Sequence, residues 1–246
     1  MKLSFVIPAY NEEKILGDCL DSVFKELNHG NYDAEVIVVN NKSTDHTKEV
    51  ALAFPLVKVV DENNKGLVFA RRAGFMASSG DIIANVDADT ILTKGWVETV
   101  FKEFGKDGKL VALSGPFIYY DLNFVTRAMV KVFYFFGYIF YAINHFIFNK
   151  GAMLQGGNFI VKRDALIKIG GFDTTIEFYG EDTDIAKRIS KAGKVLWTFR
   201  LPMYTSGRRL KEEGVIMTGL RYAINFFWIS VLSKPFTKKH TDIRLG

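Results

Sequence analysis

The chain has little cysteine, no long basic block and no apolar signal-like start. Each of these absences argues against particular kinds of site, partner or compartment. Its single cysteine, Cys19, excludes a disulfide within the chain and any metal site built from several thiolates. The formal net charge of +5 is not concentrated in a run of lysine or arginine, which favours phosphate or lipid headgroups over nucleic acid as partners. Residues 3–7 form a strand-like run rather than the long apolar region of a signal peptide, so we expect a cytoplasmic protein.

The aromatic content is high for a globular chain of this size. Of the 246 residues, 48% are apolar and 24% are charged, which suits one large α/β domain or two small ones with a sizeable core. The 22 phenylalanines and 10 tyrosines are less ordinary, and many of them fall within residues 124–148 and 215–232. This clustering indicates contact with a membrane surface.

Strand-like and helix-like runs alternate through the first half of the chain. The predicted strands are residues 3–7, 34–39, 57–60 and 81–86, and the predicted helices are residues 11–27, 45–54 and 70–77. We expect Pro8 to end the first strand and Asn11 to cap the first helix. A helix over 96–104, a strand over 110–114 and a mixed section over 155–200 follow. The alternation is typical of an open parallel sheet covered by helices, which binds ligands beyond the carboxyl ends of its strands.

Two carboxylates, Asp87 and Asp89, directly follow the predicted strand over 81–86. Paired acids at this position can hold a divalent cation by oxygen ligands, and a hard cation favours a phosphate-bearing ligand. Taken alone, such a pair is more often two solvated acids in a loop. The polar segments 8–12 and 40–45 follow two other predicted strands, so all three segments are expected to meet in one crevice.

Six sequence blocks carry a resemblance to a known family. They are residues 5–12 (FVIPAYNE), 38–45 (VVNNKSTD), 64–66 (NKG) with 70–71 (AR), 87–89 (DAD), 170–173 (GGFD) and 181–182 (ED). In this order the chain resembles the family 2 inverting glycosyltransferases. The resemblance implies the α/β GT-A fold, a Rossmann-like open and mostly parallel sheet flanked by helices. It also implies a nucleotide-sugar donor and a divalent cation, Mn²⁺ or Mg²⁺.

The resemblance further implies roles for individual residues on the donor side. Asn40 stands where the family usually has an aspartate that binds the base, so the identity of the base stays open. Arg71 would complement the diphosphate, although an exposed helix arginine is the alternative. Asp89 would ligate the metal directly, with Asp87 on the ribose side. The implied donor-binding residues are Pro8, Tyr10, Glu12, Asn40, Lys65, Arg71 and Asp87.

Inversion by single displacement needs a general base, and Asp182 is our candidate. The alternative is that Asp182 or Thr183 only caps the helix that follows, and Asp184 competes for the role of base. The glycines of residues 155–158 and 170–173 permit close backbone approach to a sugar. The residues implied on the acceptor or sugar side are Gly156, Gly157, Asn158 and Glu181.

The two aromatic segments predict membrane association. Within 124–148 six residues at helical spacing form one polar stripe, and the rest of the helix is apolar. The stripe consists of Arg127, Lys131, Tyr134, Tyr138, Tyr141 and His145. The uncharged part of this segment is slightly short for a membrane span and is broken by Asn144 and His145, so an interfacial helix or hairpin fits better. A second such segment over 215–232 has basic flanks, including Arg208 and Arg209, that suit anionic headgroups or a phosphate-bearing acceptor; a buried subunit interface is the alternative.

We therefore expect a glycosyltransferase domain over 1–205, with an amphipathic insertion at about 117–150, and a membrane-associating segment over 206–246. The expected enzyme adds single sugars to a lipid-linked or cell-envelope glycan acceptor at the inner face of the cell membrane. The alternatives are a polyprenyl-phosphate sugar synthase of the same fold, which uses a phosphate as nucleophile, and a catalytically silent sugar-nucleotide or glycan-binding protein. A nucleotidyltransferase is disfavoured because residues 8–13 are acidic rather than basic and glycine-rich.

Overall fold

The computed structural model describes residues 1–142, 153–176 and 180–232. The strands are β1 Leu3–Ala9, β2 Ala34–Asn40, β3 Val57–Asp61, β4 Ile82–Val86, β5 Thr90–Leu92, β6 Leu110–Ser114, β7 Phe117–Tyr119, β8 Asn158–Lys162, β9 Lys194–Trp197 and β10 Met203–Thr205. The helices are α1 Leu16–Asn28, α2 Thr47–Leu52, α3 Leu67–Ala77, α4 Trp96–Lys106, α5 Phe124–Ala142, α6 Arg163–Lys168, α7 Glu181–Ile189, α8 Arg208–Glu213 and α9 Val215–Leu232.

Seven strands form the main sheet in the order β3-β2-β1-β4-β8-β6-β9. The first four run parallel, as the βαβ pattern predicts, and their carboxyl ends therefore meet at one edge. Strand β8 is antiparallel to both β4 and β6, so its amino end lies beside the carboxyl end of β4. This reversal brings the residues before β8 to the edge where Asp87 leaves β4.

Both faces of the main sheet are covered by helices. In β1 the side chains of Leu3, Phe5 and Ile7 pack with α1 and α4, whereas Val6 on the opposite face packs with α3. All four of these strand residues are fully buried. Burial on both faces explains why the strands read as continuous apolar runs, and it leaves the strand ends as the exposed places for polar chemistry.

The first helix starts later than predicted, and Asn11 does not cap it. Asn11 has a left-handed backbone with φ 52°, and its side-chain oxygen accepts a hydrogen bond from the Thr44 amide at 2.8 Å. Helix α1 begins only at Leu16. Pro8 does not end β1 either, because the strand continues to Ala9; the pairing with β4 stops at Val6, so the proline lies near the end of the ladder.

The tyrosines of the polar stripe of α5 face the protein, whereas Arg127 and Lys131 of the same stripe are exposed. The Tyr141 hydroxyl donates to the Val195 carbonyl at 3.1 Å, and the rings of Tyr134 and Tyr138 lie against Trp197. By contrast Phe136 is 64% exposed. The other exposed apolar residues of α5 are Phe124, Val125, Met129, Val132, Phe133, Phe135 and Ile139. The predicted residues 143–148 lie outside the described residues.

Helix α9 is oriented in the same way. Its polar residues Thr218 and Asn225 are buried, and α9 packs against α7 and α8. Ile216, Met217, Leu220 and Trp228 are exposed on its other side. Of the helices in the described residues, none combines the length and the apolar character that a membrane span requires. The basic residues predicted to follow α9, among them Lys234 and Arg244, lie outside the described part.

Candidate active site

The three polar segments predicted to converge do lie together. Asn40 ends β2, Asp87 follows β4, and the loop after β1 is tied to the loop after β2. In this tie the Asn11 side chain bonds Thr44, and the Glu12 amide donates to the Thr47 hydroxyl at 2.8 Å. The carboxyl edge of the parallel strands is therefore one polar cleft.

Tyr10 and Lys65 line one side of this cleft. The Lys65 ammonium lies 2.8 Å from the Tyr10 hydroxyl and 4.0 Å above the centre of its ring. Pro8 is partly buried within β1, one residue before the strand ends. A flat ring next to a flexible cationic side chain suits a heterocyclic base followed by phosphate.

The Asn40 amide is already held by neighbouring groups. Its nitrogen donates to the Asp61 carboxylate at 2.8 Å, and its oxygen accepts from the Ser43 amide at 3.3 Å. The Lys48 ammonium is the strongest influence on the Asp61 carboxyl, and together with Asn40 it lowers the pKa of Asp61. The carboxylate that the family usually has at position 40 is absent here, but the Asp61 carboxylate, at the end of β3, lies beside Asn40.

Arg71 lies beneath the cleft rather than in it. Its side chain has no exposed surface and stacks over the Phe159 ring at 5.2 Å. The guanidinium donates to Asp87 Oδ1 at 3.0 Å and forms an ion pair with Glu181, which is also buried. Direct contact with a diphosphate, which the resemblance implies, is not available to this enclosed side chain. Arg71 instead fixes two acids that come from different elements.

The turn before β8 touches both halves of the predicted site. Gly157 has φ +77°, and a Cβ at this position would overlap the Asp87 carboxylate. The Asp87 amide donates to the Gly157 carbonyl at 3.3 Å. On the other side, the Gly156 amide donates to Asp182 Oδ2 at 3.0 Å. Glycine is required at 157 because the backbone is left-handed and the carboxylate lies against it.

Asp182, the candidate base, borders the cleft beside Gly156. It lies in the first turn of α7 and is only partly buried, and Gly180 rather than Asp182 is the N-cap residue. Burial raises the pKa of Asp182, while hydrogen bonds from the Thr183 and Gly156 amides and the charge of Arg71 oppose this shift. A raised pKa makes a carboxylate a stronger base.

The competing acid, Asp184, is committed to a structural ion pair. Its carboxylate accepts from Arg188 Nε at 2.8 Å. The same guanidinium donates to the carbonyls of Ile169 and Gly171, and it therefore holds the loop after α6. Asp184 itself is buried. This geometry favours Asp182 over Asp184.

Asn158, expected on the acceptor side, belongs to the core. It has no exposed surface, and its amide nitrogen donates to the carbonyls of Gly115 and Leu201 at 3.1 and 2.9 Å. Its oxygen accepts from Trp96 Nε1 at 3.2 Å. Asn158 thus joins the main sheet to α4 and to the loop before β10. Glu181 and Gly157 are buried as well, so of this set only Gly156 keeps exposed surface at the cleft.

Asp89 is bound by an arginine that the sequence did not assign to the site. Arg208, at the start of α8, donates to Asp89 Oδ2 at 3.0 Å and to both oxygens of Glu12 at 3.1 and 2.9 Å. Arg208 thus lies in the cleft, and its expected role as a flank for anionic headgroups or a phosphate-bearing acceptor stays a prediction. Glu12, expected at the ribose, is also buried in this ion pair. In the sequence, this arginine was indicated only by the two acids, Glu12 and Asp89, which had no assigned positive charge beside them.

The electrostatics around Asp89 favour binding of a cation. Burial and the nearby charge of Asp87 raise the pKa of Asp89 to about 6, and Arg208 counteracts the rise. Burial disfavours the charged guanidinium of Arg208, but hydrogen bonding to Glu12 and the charge of Asp89 outweigh it and raise its pKa. Carboxylates under mutual repulsion gain from a positive ion between or beside them.

The described residues contain no cluster of three histidine, cysteine, aspartate or glutamate side chains arranged to hold a metal by themselves. Mg²⁺ and similar ions often use one or two carboxylates and take their other ligands from substrate phosphates and water. Asp89, with Asp87 nearby, is a donor set of this kind. The residues therefore fit a divalent cation that arrives with a diphosphate.

Comparison with known proteins agrees with this geometry. The model of the family described as glycosyl transferase family 2 matches residues 4–170, and that of the N-terminal domain of galactosyltransferase matches residues 141–211. A probable glycosyltransferase, YdaM of Bacillus subtilis, is 29% identical over 202 residues, which cover 78% of this chain and 47% of that protein. The first curated relatives that match are each more than twice as long as the part this chain aligns with.

Two solved structures share the fold. The mannosyltransferase PcManGT from Pyrobaculum calidifontis, in complex with GDP-Man and Mn²⁺, has a TM-score of 0.65 at 19% identity, covering 87% of this chain and 62% of that one. Glucosyl-3-phosphoglycerate synthase from Mycobacterium tuberculosis, in complex with Mn²⁺ and UDP-Glc, has a TM-score of 0.63 at 20% identity, covering 95% and 80%.

The fold and the acidic cleft define an α/β protein of the GT-A type. Because the family model matches more than half of its length, the chain belongs to glycosyl transferase family 2. The predicted family and fold are confirmed. The membrane-associating helices that were predicted with the fold stay a prediction.

Proposed function

We propose that the chain is a metal-dependent inverting glycosyltransferase that uses a nucleotide-sugar donor. The observation that carries this is the Gly156–Gly157 turn, which contacts Asp87 with one residue and Asp182 with the other. The acid beside the metal ligand and the candidate base are thereby held on two sides of one backbone turn. A donor diphosphate on the Asp89 side would place its sugar over this turn, within reach of Asp182.

Each acid has a separate task in this scheme. Asp89 ligates the cation, and Asp87, fixed by Arg71, faces the ribose. A bound Mn²⁺ or Mg²⁺ supplies neutralisation of the charge that develops on the leaving diphosphate. Asp182 accepts the proton of the acceptor hydroxyl as that oxygen attacks the anomeric carbon from the opposite face. Tyr10 and Lys65 bind the nucleotide at the other end of the cleft.

The test is sugar transfer from a panel of nucleotide sugars with Mn²⁺ or Mg²⁺, because the donors bound by the structural neighbours differ. We expect activity to stop in excess EDTA and in Asp89→Ala. Asp182→Asn should bind donor normally and lose about 10²–10⁴-fold in turnover. Unchanged transfer in EDTA would contradict the metal assignment. Full activity of Asp182→Asn would indicate a phosphate acceptor, since a phosphate needs no strong base.

We further propose that the exposed apolar sides of α5 and α9 rest on a membrane, next to a lipid-linked acceptor. The tyrosines of α5 and the buried Thr218 and Asn225 of α9 face the protein, and many apolar residues of both helices remain at the surface. Burial of such side chains contributes about 25 cal/mol per Å² of apolar area removed from water. Interfacial helices bind anionic bilayers in this manner.

Flotation with anionic vesicles tests the membrane proposal. Phe133→Asp together with Phe136→Asp should abolish flotation. The control, Leu56→Asp together with Ile167→Asp, replaces two well-exposed apolar residues outside both helices and should leave flotation unchanged. Equal flotation of the two double variants would contradict the assignment of these helices. A dimer that dissociates in the first variant would indicate a subunit interface instead.

A further inference from the structure

The guanidinium of Arg208 contacts the carboxylate that the proposed cation would use. It donates to Asp89, the proposed metal ligand, and its two terminal nitrogens both reach Glu12, at 3.1 and 2.9 Å. Arg208 thus supplies the positive charge that the acids of the cleft need. A divalent cation on Asp89 Oδ2 would lie beside this guanidinium, and the repulsion between the two positive charges would oppose their sharing this oxygen.

The backbone that carries Arg208 is fixed independently of this ion pair. Asp121 accepts hydrogen bonds from the Gly207 amide at 2.6 Å, the Ser206 hydroxyl at 3.0 Å and the Lys211 ammonium at 3.0 Å. A Cβ at Gly207 would overlap Leu122, so the chain passes close to the main body here. The Arg208 side chain can therefore change partners while the start of α8 stays in place.

The pairing of Arg208 is also incomplete. Its Nε is buried and has no hydrogen-bond partner in the described part of the chain. A buried donor that stays unsatisfied costs free energy, so a further acceptor at Nε would stabilise this group. A diphosphate offers several anionic oxygens and matches the fork of a guanidinium.

We propose that Arg208 is a resident counter-cation that competes with the divalent cation for Asp89 and, once displaced, binds the donor diphosphate. This proposal rests on the proposed function, because it takes Asp89 as the metal ligand. Before donor binds, Arg208 neutralises Glu12 and Asp89. When metal and nucleotide arrive together, Arg208 releases Asp89 and exchanges that carboxylate for phosphate oxygens.

The proposal makes metal and nucleotide binding strongly coupled. Metal alone must break the ion pair at Asp89 and leave Arg208 without an anionic partner on that side. With a nucleoside diphosphate present, the displaced guanidinium gains a new partner and the same step becomes favourable. By linkage, each ligand must then strengthen the binding of the other by the same factor.

The experiment measures Mn²⁺ binding by the paramagnetic resonance of free Mn²⁺, with and without UDP or GDP, in wild type and Arg208→Gln. Glutamine removes the charge and can still donate a hydrogen bond to Glu12. Without nucleotide, Arg208→Gln should bind Mn²⁺ about tenfold more tightly, because one charge-assisted bond to Asp89 no longer competes. The strengthening of Mn²⁺ binding by nucleotide should shrink by at least as much.

Arg209→Gln is the matched control. It removes one positive charge from the neighbouring residue, whose guanidinium donates to Glu213 at 2.9 Å. Its Mn²⁺ affinity should equal that of wild type, which separates competition at Asp89 from a general change in net charge. Arg208→Lys, which keeps the charge but not the fork, guards against misfolding and should fall between wild type and Arg208→Gln.

The outcomes distinguish this proposal from the proposed function. Equal Mn²⁺ affinity in wild type, Arg208→Gln and Arg209→Gln, with binding still lost in Asp89→Asn, would overturn the role of Arg208 and leave the metal site standing. Unaltered Mn²⁺ binding in Asp89→Asn would instead overturn the metal site itself. Lower thermal stability of Arg208→Gln with unchanged Mn²⁺ affinity would identify the ion pair as purely structural.

Discussion

Replacing Gly157 with alanine should damage both stability and the donor site. The residue has φ +77°, and the left-handed backbone costs a non-glycine residue about 1–2 kcal/mol. The added Cβ would also overlap the Asp87 carboxylate, which must then move away from Arg71. Loss of a hydrogen bond between charged groups costs about 1.5–3 kcal/mol. We expect unfolding to become easier by about 4 kcal/mol in total, with loss of nucleotide binding.

Gly170→Ala is the control that separates these two effects. Gly170 has φ +81°, nearly the same backbone conformation, but a Cβ at this position would meet no other atom within 4 Å. It should lose only the backbone cost of about 1–2 kcal/mol and keep full nucleotide binding. Urea unfolding gives the stabilities, and calorimetry with UDP or GDP and Mn²⁺ gives the affinities. Equal stability losses in the two variants, with normal nucleotide binding by Gly157→Ala, would refute the contact between Gly157 and Asp87.

Three further predictions concern buried ionisable groups. The pKa of Asp182 is raised and a base acts when deprotonated, so turnover at saturating metal and donor should begin to fall at a higher pH than it would with an ordinary aspartate. Mn²⁺ affinity should fall separately below about pH 6, where Asp89 becomes protonated. Arg71→Met should lower the free energy of unfolding in urea by about 3–5 kcal/mol, since it leaves two acids unpaired. The control Arg72→Met, at an exposed position, should change this free energy by less than about 0.5 kcal/mol. Burial raises the pKa of Cys19 to about 12, so its thiol should react with a disulfide reagent only after unfolding; rapid reaction of the native protein would contradict its burial.

The elements that the sequence predicted well are those whose pattern is local. Strand β6 has the predicted bounds because its run of apolar residues is complete within five positions. Helix α9 agrees with the predicted segment for the same reason, as its buried Thr218 and Asn225 lie on a different side of the helix from its exposed apolar residues. Periodicity over a few turns is sufficient to determine which side of such an element is buried.

The features that the sequence did not predict depend on contacts between distant positions. Arg208 is 119 residues from Asp89 and 196 from Glu12, and no local pattern connects them. Asn11 looks like a helix cap within its own segment, yet its side chain is used by Thr44, 33 residues away. Arg71 was predicted beside the diphosphate. The structure instead packs it on Phe159, beneath the cleft, where it pairs with Asp87 and Glu181. Sequence thus identified the charges of the site and not their pairing.

The contacts of α5 connect the proposed membrane face to the proposed base. Tyr134, on the polar stripe of this helix, donates to Gln155 at 2.9 Å and accepts from the Phe117 amide at 3.2 Å. Gln155 directly precedes Gly156, whose amide binds Asp182. A helix whose outer side is apolar is therefore joined, through two hydrogen bonds and one peptide link, to the carboxylate that would activate the acceptor. Under the proposed function, these contacts would link the proposed membrane face to the position of Asp182.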